Sequence, residues 1–195
     1  TGALTATATT GNITQSGVLT ISGTTTLVTS ANDATITLGS ANAFTGALTI
    51  TTNDAGLTAA NVTIDNGTTA LIIAASTIDG DLTLTSGHAS GITDSGTVTV
   101  GGNLAATTDD NNGVINMGTL AVDGTIALTT NGNGAATVVN DAGLAFAAST
   151  VTGALTATAT TGNITQSGAL TIAGTTTLVT SANDATITLG STNAF

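Results

Sequence analysis

The sequence predicts an all-β chain wound as a parallel β-solenoid, with coils of about 22 residues and occasional insertions. Three observations carry that prediction. The composition withholds the usual helix formers, the apolar residues alternate at a period of two, and a glycine-led strand recurs along the chain.

Composition comes first. Of 195 residues, 49 are Thr and 25 are Gly, while Lys, Arg, Glu, Cys, Pro, Trp and Tyr are all absent. Exposed helix faces normally draw on Glu, Lys and Arg, so a helix here would lack its surface. Thr, Val and Ile are branched at Cβ, which restricts χ1 and suits a pleated sheet. Hydrophobic residues make up 41%, too many for a disordered chain. With three Phe and one Met, the core must be thin and made of small aliphatic side chains.

The strands follow in order. In Leu4-Thr5-Ala6-Thr7-Ala8-Thr9 the period of two turns Leu4 to the core and Thr5, Thr7 and Thr9 to water, with Ala6 and Ala8 filling a narrow interior. The same alternation governs Leu19-Thr20-Ile21, Thr35-Ile36-Thr37, Leu48-Thr49-Ile50, Leu82-Thr83-Leu84 and Val98-Thr99-Val100. Between them, Gly11-Asn12, Asn32-Asp33, Asn66-Gly67 and Gly132-Asn133 supply residues that tolerate the positive φ of tight corners.

Repeats set the larger organisation. Residues 1–44 return as residues 152–195 at an offset of 151, with three differences: Val18/Ala169, Ser22/Ala173 and Ala41/Thr192. Residues 1–195 thus read as one continuous solenoid segment, 1–151 as one complete unit and 152–195 as the start of the next. That pattern implies a stretch of a longer tandem array. A fainter copy relates NITQSGVLTISG (Asn12–Gly23) to GITDSGTVTVGG (Gly91–Gly102). The glycines that lead strands are Gly2, Gly23, Gly46, Gly80, Gly102, Gly124, Gly153 and Gly174, at steps of 21, 23, 34, 22, 22, 29 and 21. A modal step near 22 fits a solenoid coil, the steps of 34 and 29 reading as loop insertions. Propeller blades need about 40 residues, and a leucine-rich repeat would show an Asn ladder and a helical half.

Charge excludes several functions. All eleven acids are Asp, giving a net charge of −11 with no Lys or Arg. Nothing could neutralise a phosphate, so nucleic acid is not a partner. An anionic membrane surface is equally unattractive, and the longest strongly apolar run, Leu71–Ala75, is far below the roughly 20 residues a bilayer span needs. Without Cys there are no disulfides, which suits a long secreted chain.

The candidate sites are few. His88 in SGHASG has no second ligand nearby in sequence and reads as a turn residue, so no catalytic triad can be assembled. Asp109, Asp110, Asn111 and Asn112 gather oxygen ligands that calcium could use, and Asn32-Asp33, Asn53-Asp54, Asn140-Asp141 and Asn183-Asp184 repeat the pair. The competing reading is turn chemistry, in which Asn and Asp bond their own backbone. Asp79 and Asp81, two apart in a strand, would stand on one face about 7 Å apart, a separation open to an inverting glycosidase. They lack any Trp or Tyr to stack a sugar, and no basic residue exists for a lyase, so the sequence argues against an enzyme. No cofactor other than calcium is indicated. Asn12, Asn61, Asn66 and Asn163 head Asn-x-Thr sequons that could accept glycans.

ITQSGALTIAGTTTL, ATITLGSANAFTGALTI and ASTIDGDLTLTSG followed by GITDSGTVTVGG carry a family likeness. They resemble the repeat region of filamentous-haemagglutinin-type large exoproteins, bacterial adhesins exported by two-partner secretion. The resemblance covers essentially the whole chain. It implies a right-handed parallel β-helix, an outer-membrane secretion pore as partner, and adhesion to a host or neighbouring cell from the bacterial surface. No motif brings a family binding residue with it.

Together these readings lead to the structural shaft of a long secreted surface adhesin, a rigid rod that projects a distal binding region. The alternative is a subunit of a self-assembling extracellular filament or sheath. More remote are a calcium-binding solenoid and an ice-binding one built on stacked Thr. The last wants coils of equal length, and steps of 34 and 29 would interrupt any ladder.

Overall fold

The computed structural model describes residues 2–53 and 60–195. Among these residues there is no helix; 23 strands form three sheets of eleven, ten and two strands, and every pairing is parallel. The chain is a β-solenoid.

Two walls run its length. The first contains Leu4–Ala8, Thr25–Thr29 and Leu48–Thr51, then the split layers Leu71–Ile73/Ser76–Ile78 and Ile92–Asp94/Val98–Val100. It continues through Ile115–Val122, Ala136–Asn140, Leu155–Ala159 and Thr176–Thr180. The second wall stacks Ile13–Thr14, Ile36–Leu38, Val62–Asp65, Leu82–Ser86, Leu104–Thr108 and Thr125–Thr129, then Leu144–Phe146/Ser149–Val151 and Ile164–Gln166/Leu170–Ile172. A short third pair, Thr20–Ile21 on Ala43–Phe44, closes the first coils.

Strand register measures each coil directly. Partners are 21 residues apart at Leu4↔Thr25, 22 at Leu82↔Leu104 and 23 at Ile13↔Ile36. The extremes are 19 at Ala136↔Leu155 and 26 at Ile36↔Val62 and Thr51↔Thr77. The spans from Ile36 to Val62 and from Thr51 to Thr77 are therefore the longest, and among the described strands no register step reaches 29 or 34 residues. The two long glycine steps have a different physical origin. Gly2, Gly23 and Gly46 precede strands of the first wall, whereas Gly80, Gly102 and Gly124 precede strands of the second; Gly153 and Gly174 return to the first. Each long step is a full coil plus a change of wall.

Glycine is needed at these corners because backbone lies on backbone. The Gly102 N–H donates to the Gly80 carbonyl at 3.0 Å, and a Cβ on Gly102 would meet that carbonyl at 2.8 Å. Hydroxyls close other corners from inside. Thr108 Oγ1 donates to the Gly113 carbonyl at 2.8 Å and Thr130 Oγ1 to the Gly134 carbonyl at 2.7 Å, so each buried hydroxyl is satisfied where the wall ends.

The core is the strip between the walls, filled by Leu, Ile, Val and Ala with Phe44, Met117 and Phe146. The repeated segment shows what buries it. Leu155, Ala157 and Ala159 are buried, whereas Leu4, Ala6 and Ala8, the same residues one unit earlier, are only half-buried. The later copy has Ala136–Asn140 on one side and Thr176–Thr180 on the other; among the described residues the earlier has Thr25–Thr29 alone. Seven register steps separate Leu4–Ala8 from Leu155–Ala159, so the 151-residue offset is a whole number of coils and returns the chain to the same wall.

Candidate functional site

The chemistry-bearing residues gather at corners, and most of them serve the corner itself. Asp109 to Asn112 lie between Leu104–Thr108 and Ile115–Val122, with Asn111 and Asn112 at φ of 52° and 56°. The Asn111 N–H donates to Asp110 Oδ1 at 2.7 Å, and Asn111 Nδ2 donates to the Gly87 carbonyl at 2.7 Å. Asn112 Oδ1 accepts the Asn133 N–H at 2.9 Å. These amides and Asp110 thus spend oxygens and protons on turn and inter-coil hydrogen bonds, as turn chemistry predicts. Asp65, Asp109 and Asp110 share the rim of a shallow cavity of about 330 Å³, but among the described residues no three acidic or imidazole groups come close enough to hold a metal ion.

The Asn-Asp pairs divide. Asp33 and Asp184 occupy equivalent left-handed corner positions at φ of 61° and 60°. Asn140 is buried within its strand and braces the backbone of Val122 in the coil below. Asp54 lies outside the described residues; Asn53 donates through Nδ2 to Asn32 Oδ1 at 2.8 Å, tying two successive corners. His88 is half-buried in the corner after Leu82–Ser86, its Nδ1 accepting the Ser90 N–H at 3.0 Å.

One expectation needs correction. Asp79 and Asp81 do not share a strand face: the strand Ser76–Ile78 ends before them and Leu82–Ser86 begins after them, leaving Asp79-Gly80-Asp81 as the corner between walls. Glycine at position 80 lets the backbone turn there, so strand spacing never applies. Asp81 instead accepts the Asn103 N–H at 2.7 Å and Asn103 Nδ2 at 3.1 Å.

The four sequons are not equivalent either. Asn12 and Asn163 are exposed, and Asn61 is half-buried. Asn66 is fully buried, and its Nδ2 donates to the Phe44, Thr69 and Ala70 carbonyls. A glycan has no route to that nitrogen in the folded chain, so Asn66 is withdrawn as an acceptor.

Sequence reasoning missed a polar ladder on the second wall. In five of the eight described layers the residue just before the first inward apolar side chain is Asx, namely Asn12, Asn61, Asp81, Asn103 and Asn163, and in each its Oδ1 accepts the N–H stacked above. The acceptors serve Thr35, Asp81, Asn103, Thr125 and Thr186 at 2.7 to 2.9 Å. The signal was legible in the recurring Asx-(Ile/Val/Leu) step at Asn12-Ile13, Asn61-Val62, Asp81-Leu82 and Asn103-Leu104.

The outer face of the second wall is hydroxylated. Register stacks Thr14, Thr37, Thr63 and Thr83 in one column, and Thr85, Thr107, Thr129, Thr150 and Thr171 in another. The expected interruption by steps of 34 and 29 does not occur on this wall, because those steps are changes of wall rather than insertions. Stacked rungs stand about 4.8 Å apart, and alternate residues along a strand about 7 Å apart.

Residues 1–51, 59–111 and 133–195 match the family described as repeats of unknown function (DUF5649). No curated protein and no solved structure matches the chain.

Proposed function

The chain belongs to the family of repeats of unknown function (DUF5649), and from that premise we propose that it is shaft: a stiff spacer in a secreted bacterial surface adhesin. The observation that carries this reading is the whole-number coil count of the repeat. Seven coils bring Leu155–Ala159 back to the wall of Leu4–Ala8, so tandem units extend one rod without changing its face. Each unit adds roughly 34 Å at about 4.8 Å per coil. Stiffness comes from hydrogen bonds that run between coils along the axis, and the outer Thr and Asp keep the rod soluble without new chemistry. Export through an outer-membrane pore and a distal binding region belong to this proposal through the likeness to filamentous-haemagglutinin-type repeats.

Small-angle scattering on chains of one, two and three 151-residue units tests it. Maximum dimension should grow by roughly 34 Å per unit at constant cross-sectional radius. Units that collapse against one another, with cross-section growing instead of length, would overturn the shaft. Length that rises with protein concentration at fixed chain length would favour the filament subunit.

The two Thr columns of the second wall favour one second reading, an ordered-water or ice-binding face. Thermal hysteresis measured on the wild-type chain and on Thr107→Lys with Thr129→Lys tests it; activity lost in the double variant supports that face, and no hysteresis in the wild type removes it.

A further inference from the structure

Four Asn-Gly pairs occur in the chain, at Asn66-Gly67, Asn112-Gly113, Asn131-Gly132 and Asn133-Gly134. Asn-Gly is the dipeptide in which a backbone amide most readily attacks the preceding side chain, since Gly places no Cβ in the way. The reaction needs three things: an accessible Asn carboxamide, freedom of that side chain, and an N–H on the following residue that is not already held by an acceptor. We infer that Asn131 is a site of spontaneous covalent modification, converting through a cyclic imide to a mixture of aspartate and isoaspartate, and that the fold protects the other three.

The protection is specific at each of the three. Asn66 is buried, its Nδ2 is engaged by three carbonyls, and the Gly67 N–H donates to Asp65 Oδ1 at 2.8 Å. Asn112 has its Oδ1 held by the Asn133 N–H, and the Gly113 N–H donates to the Asp110 carbonyl at 3.0 Å. Asn133 is exposed, but the Gly134 N–H donates to the Asn131 carbonyl at 2.9 Å and Gly134 is buried beneath the corner. Each attacking nitrogen is therefore occupied, and cyclisation must first break its hydrogen bond.

Asn131 combines exposure with an unheld attacking N–H, which none of the other three does. It and Gly132 are both exposed in the corner between Thr125–Thr129 and Ala136–Asn140. Neither the Asn131 side chain nor the Gly132 N–H has a hydrogen-bond partner among the described residues. In the reaction the Gly132 nitrogen loses its proton to solvent base and forms a bond to Asn131 Cγ, and the side-chain nitrogen leaves as ammonia. Water then opens the imide at either carbonyl, restoring the main chain or routing it through the side chain. The net change is addition of water and loss of ammonia, with no oxidant or cofactor, and it adds one negative charge to the rod.

Incubation of the folded chain at mildly alkaline pH, followed by digestion at Asp and tandem mass spectrometry, reads all four sites at once. Conversion at Asn131 should outpace each of the others by at least about tenfold, the factor that about 1.4 kcal/mol puts on a rate. In strong denaturant, with loss of β-sheet confirmed by circular dichroism, the four rates should converge. The Asn131→Gln variant should lose the fast component and leave the slow ones unchanged. Conversion at Asn133 or Asn112 as fast as at Asn131 in the folded chain would overturn the proposal, as would an Asn131 that converts only after unfolding.

Discussion

Asn66 Oδ1 accepts the Phe44 N–H at 2.8 Å while Asn66 Nδ2 donates to the Phe44 carbonyl at 3.0 Å. One fully buried amide thus closes both backbone groups of a residue in the neighbouring coil, and its remaining donor capacity goes to its own corner at Thr69 and Ala70. Asn140 repeats the device on Val122. A short strand such as Ala43–Phe44 has too little ladder of its own, and a buried carboxamide extends it.

Asn66→Ala should therefore be among the most damaging single changes. It strands the Phe44 N–H and carbonyl in the core, at about 1–3 kcal/mol for each unsatisfied group. The denaturation midpoint should fall by an amount equivalent to a few kcal/mol, and Asn66→Asp, which cannot donate, should not rescue it. A midpoint within experimental error of wild type would sink the clamp.

Thr25→Val should act in the opposite direction. Thr25 is fully buried and its Oγ1 has no hydrogen-bond partner among the described residues, while its register neighbours are Leu4 and Leu48. Valine keeps the Cβ branch and the volume and removes the orphaned hydroxyl, for a gain of about 1 kcal/mol. Urea unfolding at unchanged slope is the measurement.

Glycines should separate by what lies above and below them. Gly102→Ala puts a methyl group against the Gly80 carbonyl and should cost about 1–3 kcal/mol, the usual range for overpacking. Gly118 has nothing among the described residues within 4 Å of an added Cβ, and Gly118→Ala keeps the N–H that donates to Asp94. Paired thermal melts should show a large loss for the first and almost none for the second.

Salt should stabilise the rod. The net charge is −11 with no Lys or Arg, so folding brings like charges closer together without any compensating pair. Raising ionic strength from about 0.01 M to 0.15 M shortens the screening length from about 30 to 8 Å and relieves that repulsion. The melting temperature should rise over this range; a fall would contradict the account.

Much of the architecture was legible beforehand, and the reasons are specific. Leu82-Thr83-Leu84 announces its inward and outward faces because side chains alternate on a pleated strand, and the structure buries Leu82 and Leu84 while exposing Thr83. Coil length was legible because each coil repeats the same corner requirement. The glycine steps of 34 and 29 misled because Gly marks close backbone approach, and both walls have a corner that needs it. Asp79 and Asp81 misled because spacing within a strand says nothing once the strand has ended. Asn66 looked like an acceptor because a sequon records neighbours in the chain, while burial records neighbours in space.

By itself the sequence determined the strand class, the period of two, the coil near 22 residues and the recurrence at 151. Only the tertiary structure shows that a core residue is buried by the coil stacked on it. Ile36 is fully buried and Ile187, in the same local sequence, is 45% exposed; Phe44 is at 0% and Phe195 at 64%. The earlier residues lie beneath Val62–Asp65 and the Asn66 clamp, and the later ones have no described coil above them. In a solenoid the apolar face of one coil is buried by the next coil and not by its own sequence, so burial is a property of the stack.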